Sequence, residues 1–519
     1  MFPRTNTTAK WPYSLLGSNA GMLAQLILFL SLGAVLALGC IIVFGHIHQN
    51  AALLIAVILL TPVLGVYAAT VFQQAATEQM ALLRQLKWWH FLWLVTFLSG
   101  LVFRLRSSTS AYTQPVDSAA VYRVVLVFTV AVWLMLRLFL RRTHWVQSLF
   151  QGLVGGLTVY SLYAALTTMW SVYPSWSLYK ACEYSVDVAL LAAVLVTVRS
   201  VESYKSLFDW TWTLLGLTLA SAWLGALYDP ADALEHYHYV GILGVRLKGV
   251  IPVVGANRIG DLSAIVALVA LARLFPMQGR CSRRSWYSFL FFFGLISLVF
   301  SQTRSALAGF AAGVCVLLLV SGRLGLRKVL TVGLATVIVA AVLYVATPAG
   351  DLLRDYLRRG QSDQLLNSFS SRVKWWETAW NLYKQTPLGI GMGAYAAERV
   401  PTLTAIGFLG ESLHSDYMET ILGTGFWGLL PLMVILAGTW FVLLRALYRS
   451  ALSPPERQLA MEAVAVLSLL TVRTAFMDVM TLHPALHYLA VVGFAELLRR
   501  RNAGSFPTEL VESRQQSPS

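Results

Sequence analysis

The sequence is poor in charge and in cysteine. Only 12% of its 519 residues are charged, roughly half the share found in soluble domains. That deficit excludes an ordinary water-soluble fold, whose surface is covered largely by such residues. Runs of short alternating strands are missing too, which excludes a transmembrane β-barrel. The four cysteines, Cys40, Cys182, Cys281 and Cys315, form neither a disulfide framework nor a metal-ligand spacing. Three lie in apolar segments and one in a basic loop. Ala37–Cys40 faintly resembles a lipoprotein cleavage site, but Ile41–Phe44 continues the apolar run, so the first helix is expected to stay uncleaved. No internal repeat is evident.

Apolar residues are abundant, at 57% of the chain, and they fall in long charge-free runs such as 51–72 and 329–345. A hydrocarbon core is crossed by ~20 helical residues. Backbone polar groups in lipid are satisfied within a helix, and amphipathic periodicity is weak here. The expected fold is therefore all-α, a polytopic transmembrane helix bundle of about 12–14 spans with a helical outer loop. Spans are placed near 22–44, 50–72, 88–103, 121–140, 146–169, 178–198, 207–227, 254–275, 285–303, 304–321, 329–347, 417–443, 459–477 and 480–497.

The formal net charge is +15. In a soluble protein this would suggest nucleic acid. Here most Lys and Arg residues sit in short loops between apolar runs, so the excess reads as topology and no nucleic-acid partner is expected. With Arg4 and Lys10 inside, Arg84/Lys87, Arg141/Arg142, Arg199/Lys205, Arg280/Arg283/Arg284, Arg323/Arg327/Lys328, Arg445/Arg449 and Arg499–Arg501 also fall inside; Arg104, Arg106 and Arg123 do not fit the alternation. The resulting organisation is a cytoplasmic N-terminus (1–21), eleven spans (22–347), a large outer loop (348–416), C-terminal spans (417–497) and a basic, polar cytoplasmic tail (498–519).

The long outer loop still carries Arg354, Arg358, Arg359, Arg372, Lys374, Lys384 and Arg399. Arg354, Arg358 and Arg359 have Asp351 and Asp355 at helical spacing, as surface pairs do. Two helical pieces are expected there. Asp351–Arg359 has Leu352, Leu353, Tyr356 and Leu357 on one face; Ser371–Lys384 has Trp376, Ala379, Trp380 and Tyr383, ending at Pro387 and the glycines that follow. The Gly389–Gly393 run has no strand before it and is not a nucleotide loop.

Three outer positions combine into a chemistry. Arg304 lies in Ser301-Gln-Thr-Arg-Ser-Ala-Leu307, Arg372 opens the Trp-rich loop helix, and His414 precedes the next span. Guanidinium forks bind phosphate oxygens bidentately and stay charged. Fixed cations stabilise charge developing on a diphosphate leaving group. Histidine titrates near neutrality and suits removal of an acceptor hydroxyl proton. The plain alternatives are a snorkelling Arg304, a surface Arg372 and an interfacial hydrogen-bonding His414. Weaker candidates are Arg246, Lys248 and Arg258 for phosphate or sugar, and Asp416 and Glu419, which either orient His414 or are structural. Arg473 and Asp478 read as a mutual pair. Trp375, Trp376 and Trp380 stack on sugars or anchor at the interface. His236 and His238 read as residues of a solvated loop. His483 and His487 lack a third ligand, so no metal site is expected, and no cofactor.

Four stretches resemble the O-antigen ligase/O-antigen polymerase superfamily of membrane glycosyltransferases. These are Trp170-Ser-Val-Tyr-Pro-Ser-Trp-Ser177; Arg246-Leu-Lys-Gly-Val…Asn257; Ser301–Leu307; and Arg372…Trp380…Pro387-Leu-Gly-Ile-Gly391 with His414 and Glu419…Gly425-Phe-Trp-Gly428. The resemblance covers about residues 165–440. It implies metal-independent transfer of glycan from undecaprenyl pyrophosphate in the bacterial inner membrane. Arg304 and Arg372 would meet the pyrophosphate, and His414 would activate the acceptor. It also implies a transmembrane helical bundle with a periplasmic helical lid. The chain departs in having extra spans and Ser415 where Asn is common. The acceptor is then a lipid A-core sugar, another lipid-linked repeat (polymerase) or a protein hydroxyl. A transporter or flippase is the non-enzymatic alternative, disfavoured because unexplained charges gather at one outer face rather than at mid-span.

Overall fold

In a computed structural model, the residues described are 51–103, 118–141, 145–198, 200–236, 243–275, 283–321, 372–394, 401–404, 412–449, 452–483 and 485–502, with 351, 355–358 and 361. The spans expected at 22–44 and 329–347, with Arg354, Arg359 and His238, lie outside them. The helices are α1 (Ala51–Leu83), α2 (Trp88–Ser99), α3 (Ser118–Arg141), α4 (Trp145–Leu149), α5 (Gly152–Leu166), α6 (Pro174–Thr197), α7 (Val201–Tyr228) and α8 (Pro230–Ala233). A short ladder of β1 (Leu234–His236) and β2 (Val245–Leu247) follows. Then come α9 (Ala256–Leu274), α10 (Arg284–Ser301), α11 (Arg304–Val320), α12 (Arg372–Gln385), α13 (Pro401–Thr404), α14 (Asp416–Arg449), α15 (Pro454–Thr474) and α16 (Leu486–Asn502).

The fold is an all-α polytopic bundle. Among the described residues, α3, α5, α7, α10 and α14 include stretches long and apolar enough to cross a membrane, and α11 is a shorter apolar helix. Apolar side chains of α3, among them Phe128, Phe139 and Leu140, face outward as lipid-facing residues do. By contrast α9, α15 and α16 are buried along most of their length and form the centre of the bundle. Small residues let these helices approach. A Cβ on Gly309 would lie 2.9 Å from Leu469, and one on Gly313 3.0 Å from the Ala465 carbonyl. This four-residue glycine spacing seats α11 on α15 through backbone proximity, the usual solution where lipid supplies no hydrophobic drive.

Local chemistry sets the ends. Ser453 and Glu456 form a capping box at α15, with Pro454 in the first turn. Ser200 caps α7 by accepting the Ser203 N–H. The span expected over 146–169 is divided instead: α4 ends at Leu149, and Gly152, at φ 52°, starts α5 anew. A side chain with a Cβ does not readily take that conformation. Charges expected to be rare at mid-span are present on buried faces, always in groups. Arg273 of α9 makes two hydrogen bonds to Glu462 of α15, at 3.0 and 2.9 Å, and meets Asp209 of α7 at 2.7 Å. Glu183 of α6 meets Lys180 at 3.0 Å and Arg123 of α3. Buried charge is tolerated when paired in this way.

Candidate active site

The site lies where α9, α11, α12 and α14 begin and where α10 and α15 end. Helix N-termini carry unpaired N–H groups and a partial positive charge, so four of them at one end of the bundle favour an anion. The break between α10 and α11 is made by Gln302, a non-glycine residue at φ 49°. Ser301 and Thr303 satisfy the turn, with Thr303 Oγ1 donating to the Ala256 carbonyl at 3.2 Å. Arg304 thus becomes the first residue of α11.

The hairpin expected to be plain loop carries Arg246 on β2. Its guanidinium is buried and donates to the Ser301 carbonyl at 3.0 Å and to Asn257 Oδ1 at 3.0 Å. Glu235, opposite it in the ladder, lies 3.9 Å away. Arg258 pairs with Asp478 at 3.7 Å. The expected Arg473–Asp478 pair is replaced by another. Arg473, 1% exposed, is bound by Asp261 and hydrogen-bonds to Ser305 of α11. The reason is helical geometry: Arg473 is in the last turn of α15 and faces α9, whereas Asp478 lies beyond the helix, nearer Arg258. Lys248 follows β2 and donates its backbone N–H to Ala233 at 2.9 Å; among the described residues no contact joins its side chain to this cluster.

Arg304 and Arg372 differ from these arginines. Arg304 donates to the neutral Gln361 Oε1 at 2.9 Å, and Arg372 to the Phe476 carbonyl at 3.2 Å. Among the described residues neither has a carboxylate partner. Burial and the nearby Arg473 and Arg304 charges hold Arg372 down to about 10, so it is still a cation at neutral pH.

His414 is positioned from two sides. Just ahead of α14, Ser412 Oγ accepts the His414 backbone N–H at 2.9 Å and donates to Glu419 of that helix. Glu419 also accepts from Thr481 Oγ1 at 3.2 Å, which is bonded in turn to Asp416 at 2.9 Å. Asp416 is fully buried and accepts the backbone N–H groups of Val479, Met480 and Thr481. From α12, the Trp375 ring lies 6.5 Å from the imidazole and the Trp376 indole donates to the Leu413 carbonyl at 2.9 Å. These contacts hold His414 at φ 56°, a conformation non-glycine residues rarely adopt and which recurs at functional sites. Its Nδ1 is buried with no hydrogen-bond partner. Burial, and next the positive charge of Arg372, hold the imidazole down to about 4; Asp478 opposes them, and Arg473 and Arg258 add smaller lowering effects. It is neutral at physiological pH.

The face expected on the loop helix is only partly right. Ala379 is buried, with Trp375 and Leu382 packed around it, while Trp380 is 42% exposed and stacks beside Tyr383. The buried stripe is displaced toward the side that meets His414. Below it, Pro387–Gly391 threads against α14. Ile390 and Gly391 donate N–H groups to the carbonyls of Leu422 and Gly423, each at 2.9 Å, and Gly425 breaks the helix at φ 66°, ψ −169°. The Trp170–Ser177 stretch closes over it, Val172 donating to the Ile390 carbonyl at 2.9 Å.

Residues 289–433 match a family model described as O-antigen ligase. The chain resembles the O-antigen ligase superfamily. The matched stretch contains Arg304, Arg372 and His414; Arg246, Asn257, Arg258 and Arg473 join the site from outside it. The match supports a membrane glycosyltransferase of the O-antigen ligase/polymerase family. A comparison with curated proteins finds no match.

The structure thus assembles Arg304, Arg372, His414, Arg246, Asn257, Arg258, Arg473, Asp416 and Glu419 at one end of the bundle. Asp261, Ser412 and Thr481 complete it without having been marked in the sequence. Asp261 was signalled only as an acid inside an apolar span. Ser412 and Thr481 carry no distinguishing local pattern. Among the described residues, no group of three or more His, Cys, Asp and Glu is placed to hold a metal ion, His483 and His487 included.

Proposed function

We propose that this protein transfers glycan from a lipid-pyrophosphate carrier, undecaprenyl pyrophosphate in a bacterial inner membrane, to an acceptor hydroxyl at the periplasmic face. The observation that carries the reading is the contrast among the arginines: Arg246, Arg258 and Arg473 have acids nearby, while Arg304 and Arg372, each the first residue of a helix, have only neutral partners among the described residues. Two half-buried cations in that state suit a ligand that supplies the anionic oxygens.

In the reaction, the acceptor oxygen bonds to the anomeric carbon as the bond from that carbon to the diphosphate oxygen breaks. The electron pair leaves on the diphosphate, where Arg304 and Arg372 stabilise it. The hydroxyl proton passes to His414. Arg473, with Asp261 and Ser305, aligns α9, α11 and α15 behind Arg304 and Arg372. The reading assigns no step to a metal. The ligase-like version, with lipid A-core as acceptor, follows the matched family's description; joining of lipid-linked repeats uses the same chemistry.

The test is reconstitution of the purified protein in lipid with an undecaprenyl-pyrophosphate glycan, with and without lipid A-core. Transfer to lipid A-core that is lost in Arg304→Ala and His414→Ala supports a ligase. Lengthening of the lipid-linked glycan without lipid A-core supports a polymerase. Donor binding with no transfer to either acceptor would overturn the enzymatic reading and favour a carrier.

A further inference from the structure

The acceptor-side imidazole sits in an unusual setting for a base. A histidine that takes protons in catalysis is ordinarily supported by a carboxylate on its second ring nitrogen. His414 has none among the described residues: Asp416 and Glu419, in the first turn of the helix that follows it, are engaged with the 479–481 turn, Thr481 and Ser412. The charged groups that face it are Arg372 from α12, Arg473 from α15, Arg258 from α9, and Asp478 beyond α15. Arg258 and Asp478 are 3.7 Å apart and largely cancel, and Arg473 is paired with Asp261. Arg372 has no acidic partner among the described residues and shares α12 with Trp375, whose ring lies against the imidazole. The positive field at His414 therefore comes chiefly from a residue whose counter-ion the proposed donor would supply.

Resting on the reading above, we propose that the bound donor equips His414 to act as a base: its diphosphate, seated at Arg304 and Arg372, cancels the Arg372 field at the imidazole. Without donor, His414 holds no proton near neutral pH and polarises an acceptor hydroxyl weakly. With donor bound, the imidazole accepts the proton as the new carbon–oxygen bond forms and the diphosphate leaves with the electron pair of the broken bond. Departure of the anionic carrier restores the guanidinium field, and the imidazolium releases its proton to water. Acceptor activation waits for the donor, and product release resets the base. The ligand-free imidazole, held at about 4 by burial and these arginines, is the starting state of that cycle.

Coupling of this kind is reciprocal. If an anion raises the proton affinity of His414, a proton raises the affinity for the anion by the same factor. The experiment uses the full chain in nanodiscs of zwitterionic lipid, with histidine labelled for NMR and His414 assigned by difference from His414→Gln. The probe is inorganic pyrophosphate. Its addition should move the His414 titration midpoint up by about 1 to 3 pH units, the effect of a close opposite charge. Arg372→Gln should raise the midpoint without any ligand. Saturable pyrophosphate binding that is lost in Arg304→Ala, with an unmoved His414 midpoint, would overturn the inference and leave the donor site standing. Binding that is absent, or unaffected by Arg304→Ala and Arg372→Gln, would overturn the donor site and the inference together.

Discussion

Arg473 and Asp261, 212 residues apart in sequence, form an ion pair between α15 and α9 in which Arg473 is fully buried and Asp261 nearly so. This pairing separates structure from chemistry among the clustered arginines. Removing one partner of a buried pair leaves an uncompensated charge, which costs about 3–5 kcal/mol. Asp261→Asn is therefore expected to lower the thermal unfolding midpoint of the purified protein markedly. Arg304→Ala removes a cation with only neutral partners among the described residues and should leave that midpoint within a few degrees of wild type. Equal destabilisation by both would mean Arg304 is structural.

Arg304→Ala and Arg372→Ala should each reduce glycan transfer by about 100- to 1,000-fold, the range for losing one preorganised group that stabilises developing charge. Lysine at either position keeps the charge but loses the planar fork, so only part of the activity should return. Initial rates with the lipid-linked donor decide this. Full activity in Arg304→Lys would show that point charge, not bidentate geometry, is what matters.

How much of this was legible beforehand varied with the kind of signal. The apolar runs announced the helices because lipid permits little else. Arg304, Arg372 and His414 stood out because cations at the outer end of apolar spans lack an ordinary explanation. Asp261 could not be assigned a partner, since nothing local distinguishes Arg258, Arg473 or Arg246 as its mate; only the facing of α9 and α15 does so. The short ladder carrying Arg246 was invisible because three-residue strands have no periodicity. The face of α12 was misjudged for a related reason: with tryptophan at 375, 376 and 380, two overlapping stripes were available, and burial against His414 selected one.

Ser412 holds the His414 backbone while its own hydroxyl is held by Glu419. Ser412→Ala should therefore lower kcat by roughly tenfold, because an ångström of misplacement in a reacting group is enough to slow a step. The donor KM should stay close to wild type, since neither residue touches Arg304 or Arg372. Ser412→Thr keeps the hydroxyl and should restore most of the rate. A parallel rise in donor KM would indicate general disorder of the α12–α14 junction instead.

The pH profile follows from the direction of the His414 perturbation. The imidazole must be unprotonated to accept a proton, so activity is lost as pH falls through its midpoint. In free protein that midpoint is about 4, and the acid limb of kcat/KM for the donor should appear there. The acid limb of kcat reports the donor complex and should lie at higher pH. Coincident limbs would argue against donor control of the base.

The Pro387–Gly391 segment and the break in α14 meet through backbone hydrogen bonds and through the buried Ile390 and Leu422 side chains, which pack in one cluster with Ala379 of α12 and Leu413 beside His414. A Cβ on Gly391, at φ 107°, would lie 2.0 Å from Ser171 Oγ, and one on Gly425, at φ 66°, would lie 2.4 Å from the Pro387 carbonyl. Both the backbone conformation and the space forbid a side chain, so Gly391→Ala and Gly425→Ala should sharply lower folded yield and thermal stability. Gly216, inside α7 with nothing within 4 Å of its would-be Cβ, is the control. There alanine reduces the freedom of the unfolded chain and should be neutral or stabilising by about 0.4–1 kcal/mol. Thermal melts of the three variants in one detergent separate the outcomes. If Gly425→Ala melted like Gly216→Ala, the α14 break would be adaptable, and the placement of His414 would have to be sought in Ser412, Trp376 and the 479–481 turn instead.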